Sequence, residues 1–264
     1  MNIFKSLAIV LKSENWRETS KILTLFSQRF GKIRVIVKGA RDPKSRLAGN
    51  LELFSQISIV FYKKENTDLH LLSQVDLIQP LPKIQNDLKR FSYASAVAEL
   101  LNKLTESEEA HPGLFSLSWE TLQNLENAPV DKLDNYLWSY ALKLASNLGY
   151  RPKLTACINC NKKESLSGEH LFFSAELGGM ICKNCVQEGS FYLKLSKKSW
   201  EAMKLLLTSQ NSHLESLTLN KKQISEISDT VLSLLEYHTH LPKTIKSLEF
   251  WEKLVENNLS INST

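Results

Sequence analysis

Two short runs, ACINC at 156–160 and ICKNC at 181–185, hold all four cysteines of this 264-residue chain, each as a Cys-x-x-Cys pair, with 21 residues between the pairs. Thiols so spaced can exchange as a redox couple, oxidise to disulfides or hold a metal. A thioredoxin-like redox site needs one such pair in a βαβ setting, and disulfides do not last in a reducing cytosol. Two matched pairs are the arrangement of a zinc ribbon or knuckle, in which the two intervening residues let both sulfurs of a pair face one ion. Cys157, Cys160, Cys182 and Cys185 are therefore the expected ligands of one Zn²⁺ per chain. Four thiolates close the tetrahedron and leave no position for water or substrate, so the ion would be structural rather than catalytic. Lys162, Lys163 and Lys183 would offset the excess negative charge. The competing reading is four unconnected buried cysteines, a common core residue. His170 could replace one sulfur, although a solvated loop histidine is the plainer reading.

The segment between the pairs, GEHLFFSAELGGMIC, reads as a hairpin: Leu171 to Ser174 are strand-like, and Gly178-Gly179 turn the chain back toward Cys182.

A second cluster carries charge. Arg29, Lys32, Arg34, Lys38, Arg41, Lys44 and Arg46 fall within 29–46, with Asp42 the only acid among them. In GKIRVIVK (31–38) a period of two puts Ile33, Val35 and Val37 on one face and Lys32, Arg34 and Lys38 on the other. The loop GARDPKSRLAG adds Arg41, Lys44 and Arg46 between Gly39 and Gly49. A cationic face with aromatics nearby is how single-strand binders track phosphates and stack bases. Phe30, Phe61 and Tyr62 are candidate stackers, and alternation leaves one of Phe61 and Tyr62 in the core and the other outside. The bland alternative is a solvated outer face.

The elements that must position these residues follow from the pattern. Residues 3–12, 20–27, 31–38, 51–62 and 69–79 alternate as five short strands separated by turn residues, which suits a small closed barrel such as an OB-fold, with a small sandwich as the structural alternative. PLPK at 80–83 breaks regular structure. Beyond it the period becomes helical: Leu88, Phe91, Ala94, Val97, Ala98 and Leu101 share a face, with Asp87 as N-cap. Residues 111–127 and 130–149 continue as helices, and 196–209, 220–241 and 244–257 are helical again after the cysteine segment. The expected plan is α+β and multi-domain: a five-stranded barrel at 1–80, a helical bundle from 81–150 and 191–264, and a Cys₄ zinc module at 151–190 inserted between its helices.

Charge divides unevenly over that plan. Residues 1–80 hold 13 Lys+Arg against 7 Asp+Glu, whereas 81–150 hold 6 against 9. The basic excess thus belongs to the barrel and predicts an acidic partner there, while the helical part reads as a docking surface, with Lys132 and Lys143 as cations beside an apolar groove. No apolar run reaches the roughly 20 residues of a membrane helix, and Leu7 to Leu11 is too short for a signal-peptide core, so a cytoplasmic protein is expected. Walker A, Gly-x-Gly-x-x-Gly, Gly-x-Ser-x-Gly and His-Glu-x-x-His sequences are absent. His238 and His240 lie two apart on different helix faces, and Glu106, Glu108 and Glu109 read as a solvated helix-end loop. No acid/base or nucleophile constellation assembles, and no enzyme is expected.

Taken in order, the segments resemble RecO, the bacterial recombination mediator and DNA repair family. NWRETSKILTLFSQRFGKIRVIVKGARDPKSRLAGNLELFS (15–55), with its Lys-Gly-Ala-Arg turn at 38–41, is similar to that family's N-terminal segment. LGYRPKLTACINC (148–160) and LGGMICKNC (177–185) resemble its entry to and exit from the zinc module, and IKSLEFWEKL (245–254) its C-terminal helix. The resemblance implies an N-terminal OB-fold, a helical domain and a zinc-binding element. It further implies binding of single- and double-stranded DNA, annealing of complementary strands, and work with RecR to load RecA onto strands coated by single-stranded DNA-binding protein (SSB), whose C-terminal tail is a partner. Association with the nucleoid would follow. The alternatives are a zinc-ribbon/OB-fold protein of RNA or ribosomal components and, without a supporting motif, a cryptic hydrolase.

Overall fold

The computed structural model describes residues 2–42, 51–65, 67–163, 165–166, 168, 170–239, 241 and 244–261, with the backbone alone at 170, 211–212 and 255–261. Five strands open the chain: β1 (Asn2–Trp16), β2 (Ser20–Ser27), β3 (Gly31–Val37), β4 (Gln56–Lys63) and β5 (Leu69–Gln79). They close into a barrel in the order β1-β2-β3-β5-β4. The long β1 serves two neighbours: Asn2–Ile9 pair with β4 and Ala8–Trp16 with β2, both antiparallel. Only β3 and β5 run parallel, Arg34 to Ile36 beside Leu69 to Leu71. This is the five-stranded OB-fold barrel. Alternation makes it so: along β3, Ile33, Val35 and Val37 are buried while the residues between them are half-exposed, and they meet Leu23, Leu25, Ile57, Ile59 and Phe61 in the barrel core.

The fourth strand starts later than its apolar pattern suggests, at Gln56 rather than 51. Leu51 and Phe54 are buried, but Phe54 holds a left-handed φ of 67° and cannot extend a strand. Its N–H donates to the Val10 carbonyl at 2.8 Å beside the β1 bulge, and its ring meets Phe91 edge-on at 5.3 Å.

The chain divides into two compact units, one holding residues up to Glu126 together with the end of the last helix, the other Asn127–Glu256. In the first, α1 (Pro82–Asn86), α2 (Leu88–Leu104) and α3 (Pro112–Asn127) follow the barrel. Asp87 caps α2 as its position suggests, accepting from the Arg90 N–H at 2.9 Å. Two buried charges join these helices. The Glu126 carboxylate accepts the N–H groups of Lys83 and Ile84 at 2.9 and 2.8 Å, filling the open N-terminus of α1. The Arg90 guanidinium donates to the carbonyls of Leu125 and Glu126.

In the second unit a 3₁₀ turn (Val130–Lys132) leads into α4 (Leu133–Asn147), which is buried nearly all round and forms its centre. A three-stranded sheet in the order β7-β6-β8 follows, from β6 (His170–Ser174), β7 (Gly179–Ile181) and β8 (Leu193–Ser196). The helices α5 (Lys197–Thr208), α6 (Asn211–Ser216), α7 (Lys221–Thr239) and α8 (Lys246–Ile261) complete the chain. Lys143 of α4 donates to the Ser209 carbonyl at the end of α5, and Lys132 to Leu217 just past α6, so both occupy helix C-termini, where a cation is favoured. No described helix is long and apolar enough to cross a membrane.

Candidate metal centre and nucleic-acid interface

The four cysteines converge. The Sγ atoms of Cys157, Cys160, Cys182 and Cys185 all lie within 4.8 Å of one another. Two tight turns bring this about. Residues 157–161 form a knuckle closed by the Asn161 N–H on the Cys157 carbonyl at 2.9 Å, with Asn161 left-handed at φ 59°. Past β7, a 3₁₀ turn over Lys183–Cys185 returns the Cys185 N–H to the Cys182 carbonyl at 2.9 Å. The hairpin β6–β7 supplies the register, and the Ile158 N–H on Met180 O at 2.8 Å docks the first knuckle on it.

Electrostatics within the cluster favour a cation. Burial raises the Cys157 thiol, yet hydrogen bonding to the backbone of Cys160, Cys182 and Asn159 brings it down to about 6. Backbone hydrogen bonding at Lys162 and the Ser165 hydroxyl lower Cys160. Cys185 is pushed the other way, up to about 12, by its hydrogen bond with Cys182 and by burial. Without a cation one thiolate here suppresses the next; a divalent ion would let all four ionise. The donor set fits a four-sulfur tetrahedral ion. The His170 side chain lies outside the described residues. His238 is engaged elsewhere: its Nε2 donates to the Ala175 carbonyl at 3.0 Å and its ring stacks on Tyr150, while His240 lies outside the described residues.

On the barrel, the basic residues fall into different surroundings. Lys32 is half-buried, and its Nζ donates to the carbonyls of Asn102 and Thr105, each at 2.6 Å, at the C-terminus of α2. Burial holds its ammonium below the ordinary lysine value, against the pull of Glu106. Arg34 pairs with Asp68 at 3.0 Å, with both side chains well exposed. Lys38 is exposed. Arg41 Nη1 donates to the Arg17 carbonyl at 2.9 Å. Lys44 and Arg46 lie outside the described residues. Of the candidate stackers, Phe61 is in the core, stacked on His70, and Phe30 packs edge-on against Phe4 and Phe61 at 5.0 and 5.5 Å. Tyr62 is half-exposed, the outside member of its pair.

The loop after α2 corrects one expectation. Glu108 is exposed as expected, but it is not free: its carboxylate bridges Lys63 of β4 and the buried His70 of β5, the latter at 2.9 Å. Its N–H donates to Lys32 O at 2.8 Å, and Ser107 forms a parallel bridge to Lys32, so the loop lies against β3. The neighbouring carbonyl of Glu109 occupies the space a Cβ at Gly31 would take. Only the polar character of the segment was legible locally; its partners lie far off in the chain.

The hydrogen bond from Lys63 holds the Glu108 carboxyl below its ordinary value, with burial opposing and the charges of Lys63 and His70 assisting. A depressed carboxylate contributes stability above its unfolded pKa of about 4.3, lost as pH falls through the folded value. Glu108→Gln should therefore be less stable than the parent by about 1 kcal/mol at pH 7, the size of a partly exposed pair. That difference should shrink as denaturation is repeated below the unfolded value of about 4.3 and vanish once pH has fallen through the lower folded value. An unchanged difference there would sink the ionic account.

Two family profiles match this chain: the N-terminal profile of recombination protein O over residues 1–81, and its C-terminal profile over residues 85–249. Among curated proteins, the chain is similar to the DNA repair protein RecO of Caldanaerobacter subterraneus subsp. tengcongensis, 34% identical over 255 residues that cover 96% of this chain and 99% of that protein. It is also similar to the DNA repair protein RecO of Desulfitobacterium hafniense (34% identical, 86% of this chain and 83% of that one) and of a Thermoanaerobacter species (31% identical, 98% and 99%).

Proposed function

The chain belongs to the RecO family of DNA repair proteins, and on that premise we propose that it is a non-enzymatic recombination mediator. In this reading it binds single- and double-stranded DNA, anneals complementary strands and, with RecR, helps load RecA onto SSB-coated single strands in the cytoplasm, at the nucleoid. One observation carries the DNA part. Arg34, Lys38 and Arg41 lie along β3 and the loop after it, on an OB-fold barrel whose strands 2 and 3 are the usual oligonucleotide face. Lys44 and Arg46 continue the same run in sequence. Arg34's pairing with Asp68 does not stand in the way: an exposed pair is worth about 0–1 kcal/mol, which a phosphate can displace. Lys32, held on α2, acts by fixing β3 rather than by touching phosphate.

The same reading takes Cys157, Cys160, Cys182 and Cys185 as ligands of one structural Zn²⁺. When bound, the ion supplies only charge neutralisation and a cross-link between the two knuckles. The acidic SSB tail would dock on the helical part, where Lys132 and Lys143 act through the helix ends they hold.

Annealing of complementary strands coated with SSB tests the proposal as a whole, with an RNA arm to separate it from an RNA-binding role. For the barrel, binding should weaken steeply with salt, with a log–log slope of roughly −3 to −4 if about five phosphates of a single strand are neutralised. The double change Arg34→Glu, Lys38→Glu should lower affinity similarly on every sequence and flatten that slope by about one unit per lost contact. Annealing should fall with it. A charge-reversed protein that binds and anneals like the parent would move the DNA site off this face.

A further inference from the structure

We propose that Trp16, at the end of the β1–β2 hairpin, is a stacking platform for an unpaired nucleobase of a bound single strand. The inference rests on the DNA reading above and names a site within it. An exposed tryptophan by itself means little, since single apolar side chains on surfaces are normal. Its surroundings are what count. Of five tryptophans in the chain, Trp16 alone is exposed, at 43%. Trp138 is buried, and Trp200 is occupied on its face by the Lys204 ammonium at 3.7 Å and at its Nε1 by the Leu154 carbonyl. Among the described residues, no ring or cation lies over the Trp16 indole.

Strand register aligns this indole with the cations. Trp16 pairs with Ser20, and carrying the β2–β3 register one step past Lys21–Val37 puts Lys38 opposite Ser20. Trp16 and Ser20 form a row across two strands, and Lys38, one residue past the end of β3, would continue it. On the same face, by the period of two, lies the row Lys12, Thr24 and Arg34. The row between holds Glu14, whose charge is neutralised by Lys12 at 2.9 Å.

A second set of contacts ties the loop after β3 to this hairpin. Arg17 takes a left-handed φ of 54° directly after Trp16. Arg41 reaches it from the far side: its backbone N–H donates to Thr19 O and its Nη1 to Arg17 O, both at 2.9 Å. The exposed indole therefore lies at a hairpin end where Arg17 and Arg41 are joined through the backbone and Lys38 is one residue past β3, with Glu18 and Asp42 as the nearby acids in sequence. A strand whose phosphates run over Lys38 and Arg34 passes this hairpin end, and a base turned inward there meets an open aromatic face. Backbone on cations with bases on aromatics is the general mode of single-strand binding, and it is sequence-tolerant because every base has a π-face. The packed Phe30 and Phe61 cannot serve in this way. Duplex DNA offers no unstacked base, so the site distinguishes single from double strands.

The test uses the full chain, with Trp16→Ala and Trp16→Phe, on three probes: oligo-dT, an abasic strand of equal length and phosphate count, and a blunt duplex. Trp16→Ala should bind oligo-dT about tenfold more weakly, the effect of one lost base stack, and Trp16→Phe should recover most of it. Both variants should bind the abasic strand and the duplex like the parent, with unchanged salt slopes. The parent itself should prefer oligo-dT to the abasic strand by a similar factor, a comparison that needs no variant to fold. Equal affinity of parent and Trp16→Ala for oligo-dT, equal losses on all three probes, or a parent that ignores the missing bases would overturn the inference while leaving the phosphate face intact. A parent that bound none of the probes would remove the DNA reading itself.

Discussion

If the four thiols hold the proposed structural ion, chelating it, or changing Cys157 to Ser, should unfold the segment around the four cysteines and leave the barrel folded. The sheet beside the cysteines does bury Leu171, Phe173, Met180 and Ile181, but the two knuckles themselves carry only tight turns. That sheet has strands of only five, three and four residues, and the two knuckles meet at four free thiols within 4.8 Å of one another. Structural zinc sites in small peptides have apparent binding free energies of about 10–16 kcal/mol, far more than a few short strands supply. Without the ion, Cys157 at about 6 and Cys185 at about 12 cannot both be thiolate near neutral pH, so the cluster loses its cross-link and keeps its crowding. Proteolysis should then open the region between Lys162 and Lys183, and amide protection should be lost from β6 and β7. The barrel belongs to the other compact unit and should keep its own unfolding transition. Purified protein with no stoichiometric metal and freely reactive thiols would defeat this account.

Gly31→Ala should destabilise the barrel by about 3 kcal/mol or more, although it adds a single methyl group. Two effects combine. Gly31 has φ +62°, where a side chain costs about 1–2 kcal/mol. In addition, the new Cβ would stand 1.8 Å from the Glu109 carbonyl oxygen, and that atom is backbone. To clear it, the loop after α2 must lift from β3. Lifting it breaks the Glu108 N–H bond to Lys32 O, the two Lys32 bonds to the end of α2 and the Glu108 bridge to Lys63 and His70. Gly39→Ala is the control: φ is +69° there too, but nothing lies within 4 Å of the added carbon. It should show the conformational cost alone. Equal midpoints for the two variants in chemical denaturation would mean that the Glu109 contact is unimportant.

Much of the architecture was legible because it repeats locally. Alternation marked β1, β2, β3 and β5 within a few residues, helical spacing marked α2 to α4, and Asp87 announced its helix. The cysteines were legible for the same reason, since Cys-x-x-Cys is a knuckle written in four residues. What could not be read was contact between distant parts of the chain. Phe54 looked like a strand residue because it is apolar; only its place against Phe91 makes it a turn. Glu108 looked solvated because its partners Lys63 and His70 come from other strands. Lys32 had the period of an outer-face cation, and it is on that face, but nothing local says that α2 ends above it. Lys132 and Lys143 repeat the point: neither lysine's local sequence gives any sign that it caps a helix elsewhere.

The double duty of β1 sets the order in which the barrel can form. Its later half needs only the adjacent β2, so a β1-β2-β3 meander can assemble from near neighbours as the chain emerges. Its earlier half must wait for β4, which begins about forty residues after β1 ends, at a synthesis rate of about 5–20 residues per second. Until then Asn2–Ile9 is an unpaired edge, and the β3 edge waits for the still later β5. Closure is thus a non-local event, which makes it the slow step of the barrel and the interval in which it is open to wrong pairing. The last seam is β5 against β3, sewn only after β1 has gathered both of its neighbours.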